Sequence, residues 1–487
     1  MTRFQKFIHP RALMLTVFIA APLSAAETKP TKLPIAPSIF YENTLAPVDV
    51  TQVVITPQWW AIFSDPALDT LIVRAQKSNS NIQEAAARLS QARAQLRGAR
   101  AAQLPQVAIG GNASRQTGPL INAAGGGGTL LSLGASLSYE VDVLGRLSKT
   151  KKAARLDADA ADKLVQSARL MVEADTAQAY YEIRTIDEER ALLTNAIASE
   201  ERALAIVEAR IRNGFAAELE QSRARGQLAT LLSERLALDR RRAEVEHSLS
   251  FLMGEAPSAL NIGGTALSAP PSIPADIPSA VLARRPDVAA ADKKLGAATL
   301  RVGVAKTSWL PQLSLTTSRG YASSSLGTLL QSATQNFGIN FLLSLPFLDG
   351  GRRAAAIKSA NADVDLAAAE YRTQILTALR DVEDQLSAVR LLGDQASALG
   401  EAGVANARVR AITQARFDNG LISQLELIEA SRTQLEGARD AVQNKFARYV
   451  ATIALVRALG GGWGDGNSAV KLGAVTVPSS SAQTANQ

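Results

Sequence analysis

Two segments of the chain alternate regularly between apolar and polar residues. Every second residue from Leu131 to Val143 is apolar, with Ser, Gly, Glu or Asp in between. Apolar residues again occupy every second position from Phe337 to Phe347. A period of two over such a length predicts a β-strand with one apolar and one polar face.

A shorter strand pattern precedes each of these segments, at Val107 and Ile109 and again at Leu313 and Leu315. We therefore predict four strands, at about residues 104–115, 130–144, 310–321 and 336–348. Strands in a soluble β-sandwich also alternate. However, the longer segments match the ~9–11 residues of a transmembrane strand better than the ~5–6 of a globular one. We also find no further strands to cover their apolar faces, so these faces are expected to meet lipid or other chains.

Each long strand pattern changes into a helical one at a Gly-Arg pair, Gly145-Arg146 or Gly351-Arg352. Residues 146–212 contain no Pro or Gly, and residues 352–418 contain only three Gly. Each segment would form a helix of roughly 100 Å at ~1.5 Å per residue. A helix of this length is expected to coil against partners.

The chain contains a duplication at an offset of 206 residues. Leu104-Pro105-Gln106 returns as Leu310-Pro311-Gln312, and the Gly-Arg pairs, the Asn213-Gly214 and Asn419-Gly420 pairs and Gly254 and Gly460 keep the same spacing. Internal repeats of this kind mark duplicated structural units. We predict one copy over residues 67–254, a Pro-rich linker over 255–280 and a second copy over 281–460.

Each long helix is predicted to end at an Asn-Gly pair, because both residues tolerate the left-handed conformation of a helix C-cap. In the second copy, Ser423 and Glu426 predict a capping box for the returning helix. The first copy has Ala217 in place of the serine and is expected to have a weaker cap. We expect the returning helix (217–254) and the helix before the first strand (68–103) to stack end to end along the long helix.

The chain ends have separate roles. A basic start, an apolar run from Ala12 to Leu23 and the small residues before Glu27 predict a signal peptide over residues 1–26. Its removal would lower the formal net charge from +7 to +4, which does not suggest binding of nucleic acid. Residues 27–66 are expected to form an N-terminal periplasmic segment, and residues 461–487 a partly disordered tail.

The composition argues against an enzyme. The chain has no Cys, so disulfides and thiolate chemistry are excluded. Its only histidines are His9, in the signal peptide, and His247, on a predicted helix. The carboxylates alternate with Arg and Lys at helical spacings, as on a solvated or interhelical face. We expect no catalytic residue, metal or cofactor.

The strands also limit how the chain crosses a membrane. Beyond the signal peptide, no apolar run is long enough for a spanning helix, so any crossing must use β-strands. Four strands cannot close a barrel, eight give an interior filled by side chains, and twelve leave a lumen. We therefore predict a mainly α-helical chain with transmembrane β-strands, forming a trimeric 12-stranded β-barrel continued by a periplasmic coiled-coil tunnel. A purely periplasmic coiled coil would explain the helices but not the strands.

Six stretches resemble the TolC-like outer membrane factor family, in particular its NodT/OprM-type efflux branch. These are "WWAIFSDPALDTLI" from Trp59, "RRPDVAAADKKL" from Arg284, "WLPQLSLT" from Trp309, "LPFLDGGRR" from Leu345, "RFDNGLISQLEL" from Arg416 and "ALGGGW" from Ala458. The resemblance implies a homotrimeric outer membrane channel that works with a periplasmic adaptor and an inner-membrane pump of the RND type. Many members carry a lipid on an N-terminal Cys, which this chain lacks, so the barrel alone should anchor it.

The hairpin tips are the candidate functional site of such a channel. We expect adaptor docking at Asn213, Gly214, Asn419, Gly420, Ser423 and Glu426. We expect entrance gating by Arg212, Arg416 and Asp418. The predicted cargo is drugs or other small toxic compounds, and the alternative is protein exported by a one-step (type I) secretion system. No residue pattern identifies the substrate.

Overall fold

The structure is a computed structural model that describes residues 58–116, 128–215, 217–257, 262, 267–271 and 284–462. All of these belong to the larger of two compact units, Pro34–Gln487. The predicted signal peptide, most of the predicted N-terminal segment and linker, and residues 463–487 of the predicted tail lie outside the described residues.

Four strands form one antiparallel sheet in the order β1-β2-β3-β4. Their bounds are β1 (Gln106–Gln116), β2 (Gly128–Val141), β3 (Gln312–Ser323) and β4 (Gln335–Ser344). The two copies of the repeat meet where β2 pairs with β3. Strand β2 ends earlier than residue 144 because the chain turns there, with the Gly145 N–H donating to the Asp142 carbonyl oxygen at 3.4 Å.

The register separates the two faces of the sheet. Leu137 lies opposite Val107 on β1 and Thr317 on β3, whereas Ser138 lies opposite Gln106 and Thr316. Large apolar residues on the face that carries Leu137 are exposed in the single chain, as at Ile109 (82%) and Phe341 (68%). Arg319, opposite Ala135, is a charged exception on this face.

Seven α-helices complete the described fold. They are α1 (Pro66–Ser78), α2 (Ser80–Ala101), α3 (Arg146–Arg212), α4 (Glu218–Leu252), α5 (Pro286–Thr307), α6 (Arg352–Asp418) and α7 (Gln424–Ala458). The two long helices, α3 and α6, have 67 residues each and begin and end at the predicted residues. Of the helices described, none is both long enough and apolar enough to span a membrane.

The prediction of one continuous helix over residues 68–103 is wrong, because the chain breaks at Asn79. The Asn79 side-chain oxygen accepts hydrogen bonds from the backbone N–H groups of Asn81 (2.9 Å) and Ile82 (3.2 Å), so it caps α2. Its Nδ2 donates to the carbonyl oxygen of Leu252, at the end of α4 (2.8 Å). The predicted end-to-end stacking is confirmed for α4 and α2, since the end of α4 meets the start of α2 at Asn79 and both helices pack against α3.

A core of apolar and aromatic side chains joins the two copies. The rings of Tyr181 on α3 and Tyr449 on α7 stack with their centres 4.0 Å apart. Trp59 lies in a short 3-10 helix (Trp59–Phe63) and packs into the same core. Its Nε1 donates to Glu173 of α3 at 2.9 Å, so residues preceding the first repeat are fixed to the long helix.

Candidate functional site: the hairpin tips and the strand–helix junctions

The tip between α3 and α4 closes with backbone hydrogen bonds. The Gly214 N–H donates to the Ile211 carbonyl oxygen (2.9 Å), and the Phe215 N–H donates to the Arg210 carbonyl oxygen (2.8 Å). This pair of bonds is a Schellman motif, which satisfies carbonyl groups left free at a helix end. It requires the left-handed conformation that Gly214 adopts, with φ at 75°.

The tip between α6 and α7 repeats this arrangement. The Gly420 N–H donates to Phe417 and the Leu421 N–H to Arg416, both at 2.9 Å, and Gly420 has φ at 72°. Asn213 and Asn419 each donate a side-chain hydrogen bond to the carbonyl oxygen four residues earlier, at 2.9 and 2.7 Å. A Cβ atom at either glycine would meet no other atom within 4 Å, so backbone conformation alone accounts for glycine within one chain.

The capping box predicted at Ser423 is wrong. Ser423 has the extended backbone of an N-cap, but its hydroxyl makes no capping hydrogen bond. Ala217 holds the same position before α4 without a side-chain cap, so the expected difference between the two turns is absent. Backbone bonds at the preceding helix ends close both turns instead. Glu426 keeps a favourable place in the first turn of α7, where the helix dipole attracts a negative charge.

Each tip exposes a large apolar side chain that the sequence analysis did not single out. Phe215 is 82% exposed and Leu421 is 74% exposed. Both occupy the position directly after the Asn-Gly pair. The sequence could have identified both residues, because this position is apolar in both copies of the repeat. An exposed apolar residue at the end of each hairpin is typical of a contact surface.

The two tips are joined through Arg210 and Phe417. The Arg210 guanidinium carbon lies 4.7 Å from the centre of the Phe417 ring, and its Nη2 donates to the Phe417 carbonyl oxygen at 3.1 Å. Phe417 is buried with Val207 and Leu427. This contact connects the end of α3 to the end of α6.

The three predicted gating residues, Arg212, Arg416 and Asp418, are exposed near these tips. Within the described part of the single chain, none of them forms an ion pair with another. Asp418 accepts a hydrogen bond from Gln414 at 2.8 Å.

An ion pair deeper in the first hairpin joins its two helices. Arg225 of α4 donates to Glu208 of α3 at 3.0 Å, and this hydrogen bond holds the pKa of the Glu208 carboxyl below its ordinary value.

At the first strand–helix junction, Gly145 is the N-cap of α3 in the left-handed conformation. The Asp142 carboxylate accepts hydrogen bonds from the N–H groups of Leu147 (3.0 Å) and Ser148 (2.7 Å), so it caps the helix from before the turn. Arg146 donates twice to Glu140 of β2, at 3.0 and 2.6 Å. This bidentate pair fixes the strand to the helix.

At the second junction α6 begins at Arg352, as predicted, but the arginine that anchors the junction is Arg353. Gly351 is the N-cap, as predicted, but Arg352 is exposed. Arg353 is buried, donates to Asp349 at 2.7 Å and lies 4.2 Å from the Trp309 ring centre. The position that corresponds to Glu140, 206 residues further on, is Pro346, so Arg352 lacks the carboxylate partner that Arg146 has in the first copy. The Arg353 hydrogen bond lowers the pKa of Asp349.

Comparison with known proteins gives the family. The Outer membrane efflux protein family matches residues 71–255 and 277–461, and the chain belongs to this family. It is 28% identical to the outer membrane protein OprJ of Pseudomonas aeruginosa, over 93% of this chain and 96% of OprJ. It is also 28% identical to the toluene efflux pump outer membrane protein TtgF of Pseudomonas putida, over 83% of this chain and 85% of TtgF.

The fold is also that of a solved channel. The Campylobacter jejuni CmeC outer membrane channel superposes with a TM-score of 0.84 at 24% identity, covering 90% of this chain and 95% of CmeC. The protein is therefore an outer membrane efflux channel component of a Gram-negative bacterium and not an enzyme. The predicted TolC-like fold, with two repeats, is confirmed.

Proposed function

We propose that three copies of the chain assemble into a 12-stranded barrel continued by a helical tunnel across the periplasm. The observation that carries this proposal is the four-stranded sheet with strands β1 and β4 at its two edges. Lipid cannot satisfy the backbone groups of an open edge, so β1 of one copy must pair with β4 of the next. The exposed apolar face of the sheet then meets the membrane.

The hairpin tips form the periplasmic entrance and the docking surface for an adaptor protein. The Asn-Gly turns present Phe215 and Leu421 to solvent, and the polar residues Asn213, Asn419, Ser423 and Glu426 surround them. A helical adaptor with small apolar residues at its own tip fits this surface. The adaptor connects the duct to an inner-membrane pump of the RND type, in line with the resemblance to the NodT/OprM-type branch.

The same tips close the duct at rest. In a trimer, six hairpins converge on one axis, and their exposed charges come within reach of neighbouring chains. Arg212, Arg416 and Asp418 then form ion pairs between chains and hold the entrance shut. All three residues are exposed in the single chain, which supports contacts with neighbouring chains.

The cargo is small toxic compounds rather than protein. The support is the family itself and the relative TtgF, an outer membrane protein of a toluene efflux pump. Protein export by a one-step secretion system is the second candidate, because a tunnel of this kind is compatible with both cargoes.

A strain that lacks this chain separates the two candidates. We expect it to accumulate toluene and a fluorescent dye in its cells and to recover when the wild-type chain is supplied. Secreted proteins in the medium should be unchanged. Normal accumulation together with loss of a secreted protein would contradict small-molecule efflux and favour protein export.

A further inference from the structure

A cavity of about 620 Å³ lies between the two helical hairpins, close to their tips. Helices α3, α4, α6 and α7 all line it. Part of its wall is apolar, including Leu231 of α4 and Leu435 of α7, which pack with the buried residues Leu193 and Ile197. Its volume lies in the range of small-molecule sites, about 300–1,000 Å³.

Glu200 of α3 lines this cavity from a core position. It follows the buried Leu193 and Ile197 and precedes the buried Ala203 and Val207 along one stripe of the helix. Glu200 is only 9% exposed, and its Oε1 has no hydrogen-bond partner. A buried carboxylate is normally paired, so the unpartnered Oε1 of Glu200 is unusual.

Two arginines on the cavity wall have hydrogen-bond partners other than Glu200. Arg202, two residues along α3, donates to Ser199 at 3.4 Å. Arg432 of α7 donates to Glu429 at 2.9 Å.

The α6 wall carries Asp418, which accepts from Gln414 at 2.8 Å, and Arg410. Helix α4 contributes the neutral Gln227. Arg410 and Arg202 are thus cations on the cavity wall that would compete with a ligand for Glu200.

The second copy of the repeat shows that the charge is not required by the helical fold. The residue 206 positions after Glu200 is Asn406, which is neutral and half-buried. Asn406 lines a different cavity of about 480 Å³ against α7. The unpaired carboxylate therefore belongs to the first copy alone.

We propose that the cavity beside Glu200 binds an organic cation, an ammonium or guanidinium group on an apolar body. The positive group pairs with the Glu200 carboxylate, and the apolar part packs against Leu231 and Leu435. One unpaired carboxylate matches one positive charge, and a charge-assisted hydrogen bond of this kind is among the stronger ones in proteins. This site lies in the wall of the helical hairpins and goes beyond the exit-duct function.

The test is calorimetric titration of the purified full-length protein in detergent with 4-phenylbutylamine. We expect the wild-type protein to bind the amine and Glu200→Gln to bind it at least tenfold more weakly. The matched control is Glu201→Gln, which changes an exposed neighbour and should bind like the wild type. The amine partitions into detergent micelles to the same extent in all three samples, so this contribution cancels when the affinities are compared.

A pH series gives a second readout. Burial raises the pKa of Glu200, and only the ionised carboxylate attracts a cation. Affinity should rise with pH through the pKa of Glu200 in the wild type and in Glu201→Gln, and stay flat in Glu200→Gln. The charged groups on the facing walls, Asp418, Arg410 and Arg432, are present in all three proteins.

Two further comparisons complete the test. Leu231→Trp should block binding of the amine by filling the cavity while leaving Glu200 in place. This variant tests the site even if Glu200→Gln does not fold. The uncharged analogue 4-phenylbutan-1-ol should bind at least tenfold more weakly than the amine. Equal affinities for amine and alcohol, equal affinities of Glu200→Gln and wild type, or no binding by the wild type would each overturn the proposal.

Discussion

Arg210 at the end of α3 stacks on the ring of Phe417 at the end of α6 and donates a hydrogen bond to the carbonyl oxygen of the same residue. Arg210 and the apolar cluster around Phe417 therefore hold the two hairpins of one chain together at their tips. Because Phe417 is buried, the ring cannot move without disturbing Val207 and Leu427. The position of one tip thus constrains the other.

Replacing Arg210 should loosen the entrance. Arg210→Ala removes a cation–π contact and a charged hydrogen bond, together about 2 kcal/mol. The population with parted hairpins should rise about 30-fold, since 1.4 kcal/mol corresponds to a factor of ten. Single-channel recording in a planar bilayer should show more frequent openings. Arg212→Ala changes an exposed residue nearby and tests only the proposed contacts between chains. If both variants open as often as the parent protein, the tips do not control opening.

Gly420 is expected to be essential for export but not for assembly. A bulky side chain there would disturb the left-handed turn, at about 1–2 kcal/mol, and obstruct a docking adaptor. We predict that Gly420→Leu abolishes dye efflux from cells while the trimer remains intact on a sizing column. Gly400→Leu is the control, since that glycine also has open space around it but lies in the exposed middle of α6. Normal efflux by Gly420→Leu would exclude the tip as the docking site.

The two faces of the sheet should differ in their tolerance of charge. A mid-membrane arginine costs about 2–4 kcal/mol on a lipid-facing barrel position and much less inside the lumen. Leu137→Arg should therefore reduce the amount of assembled protein in outer membrane fractions more than Ser138→Arg does. The two residues are adjacent on β2, so depth in the membrane is matched. Equal assembly of the two variants would contradict the assignment of the lipid-facing and lumen-facing sides of the sheet.

The second junction should depend on Arg353 and not on Arg352. Arg353→Ala leaves the Asp349 carboxylate without its arginine partner, which should lower the free energy of unfolding. Urea unfolding should show this loss of free energy of unfolding. Arg352→Ala should unfold like the parent protein, because its side chain is exposed. A larger loss in Arg352→Ala than in Arg353→Ala would contradict this assignment.

Periodicity predicted most of this fold because it reports directly on burial. The bounds of α3 and α6 follow from the Gly-Arg and Asn-Gly pairs that flank them, since glycine at those positions adopts the left-handed conformation that ends or starts a helix. The break at Asn79 was missed because a capping side chain inside a helical pattern looks like an ordinary polar residue. Whether Asn79 caps depends on α4 ending beside it, which only tertiary packing decides.

The contacts of the candidate site were predicted less completely, because they too depend on tertiary packing. Arg352 and Arg353 are adjacent and chemically identical, and which of them anchors the junction depends on the carboxylate within reach, which is Asp349 for Arg353. The Arg210 contact with Phe417 joins residues from different repeats, so no local sequence pattern predicts it. Glu200 appears in the sequence as one carboxylate among many on a charged helix, and its unpaired state depends on four helices around it.

The trimer is the central claim, because the four strands of one chain line a conducting barrel only when three chains combine. The mass of the purified protein in detergent, corrected for bound detergent, measures this directly. We predict three times the mass of one mature chain. A stable monomer that contains a closed barrel would contradict the architecture and the duct proposed from it.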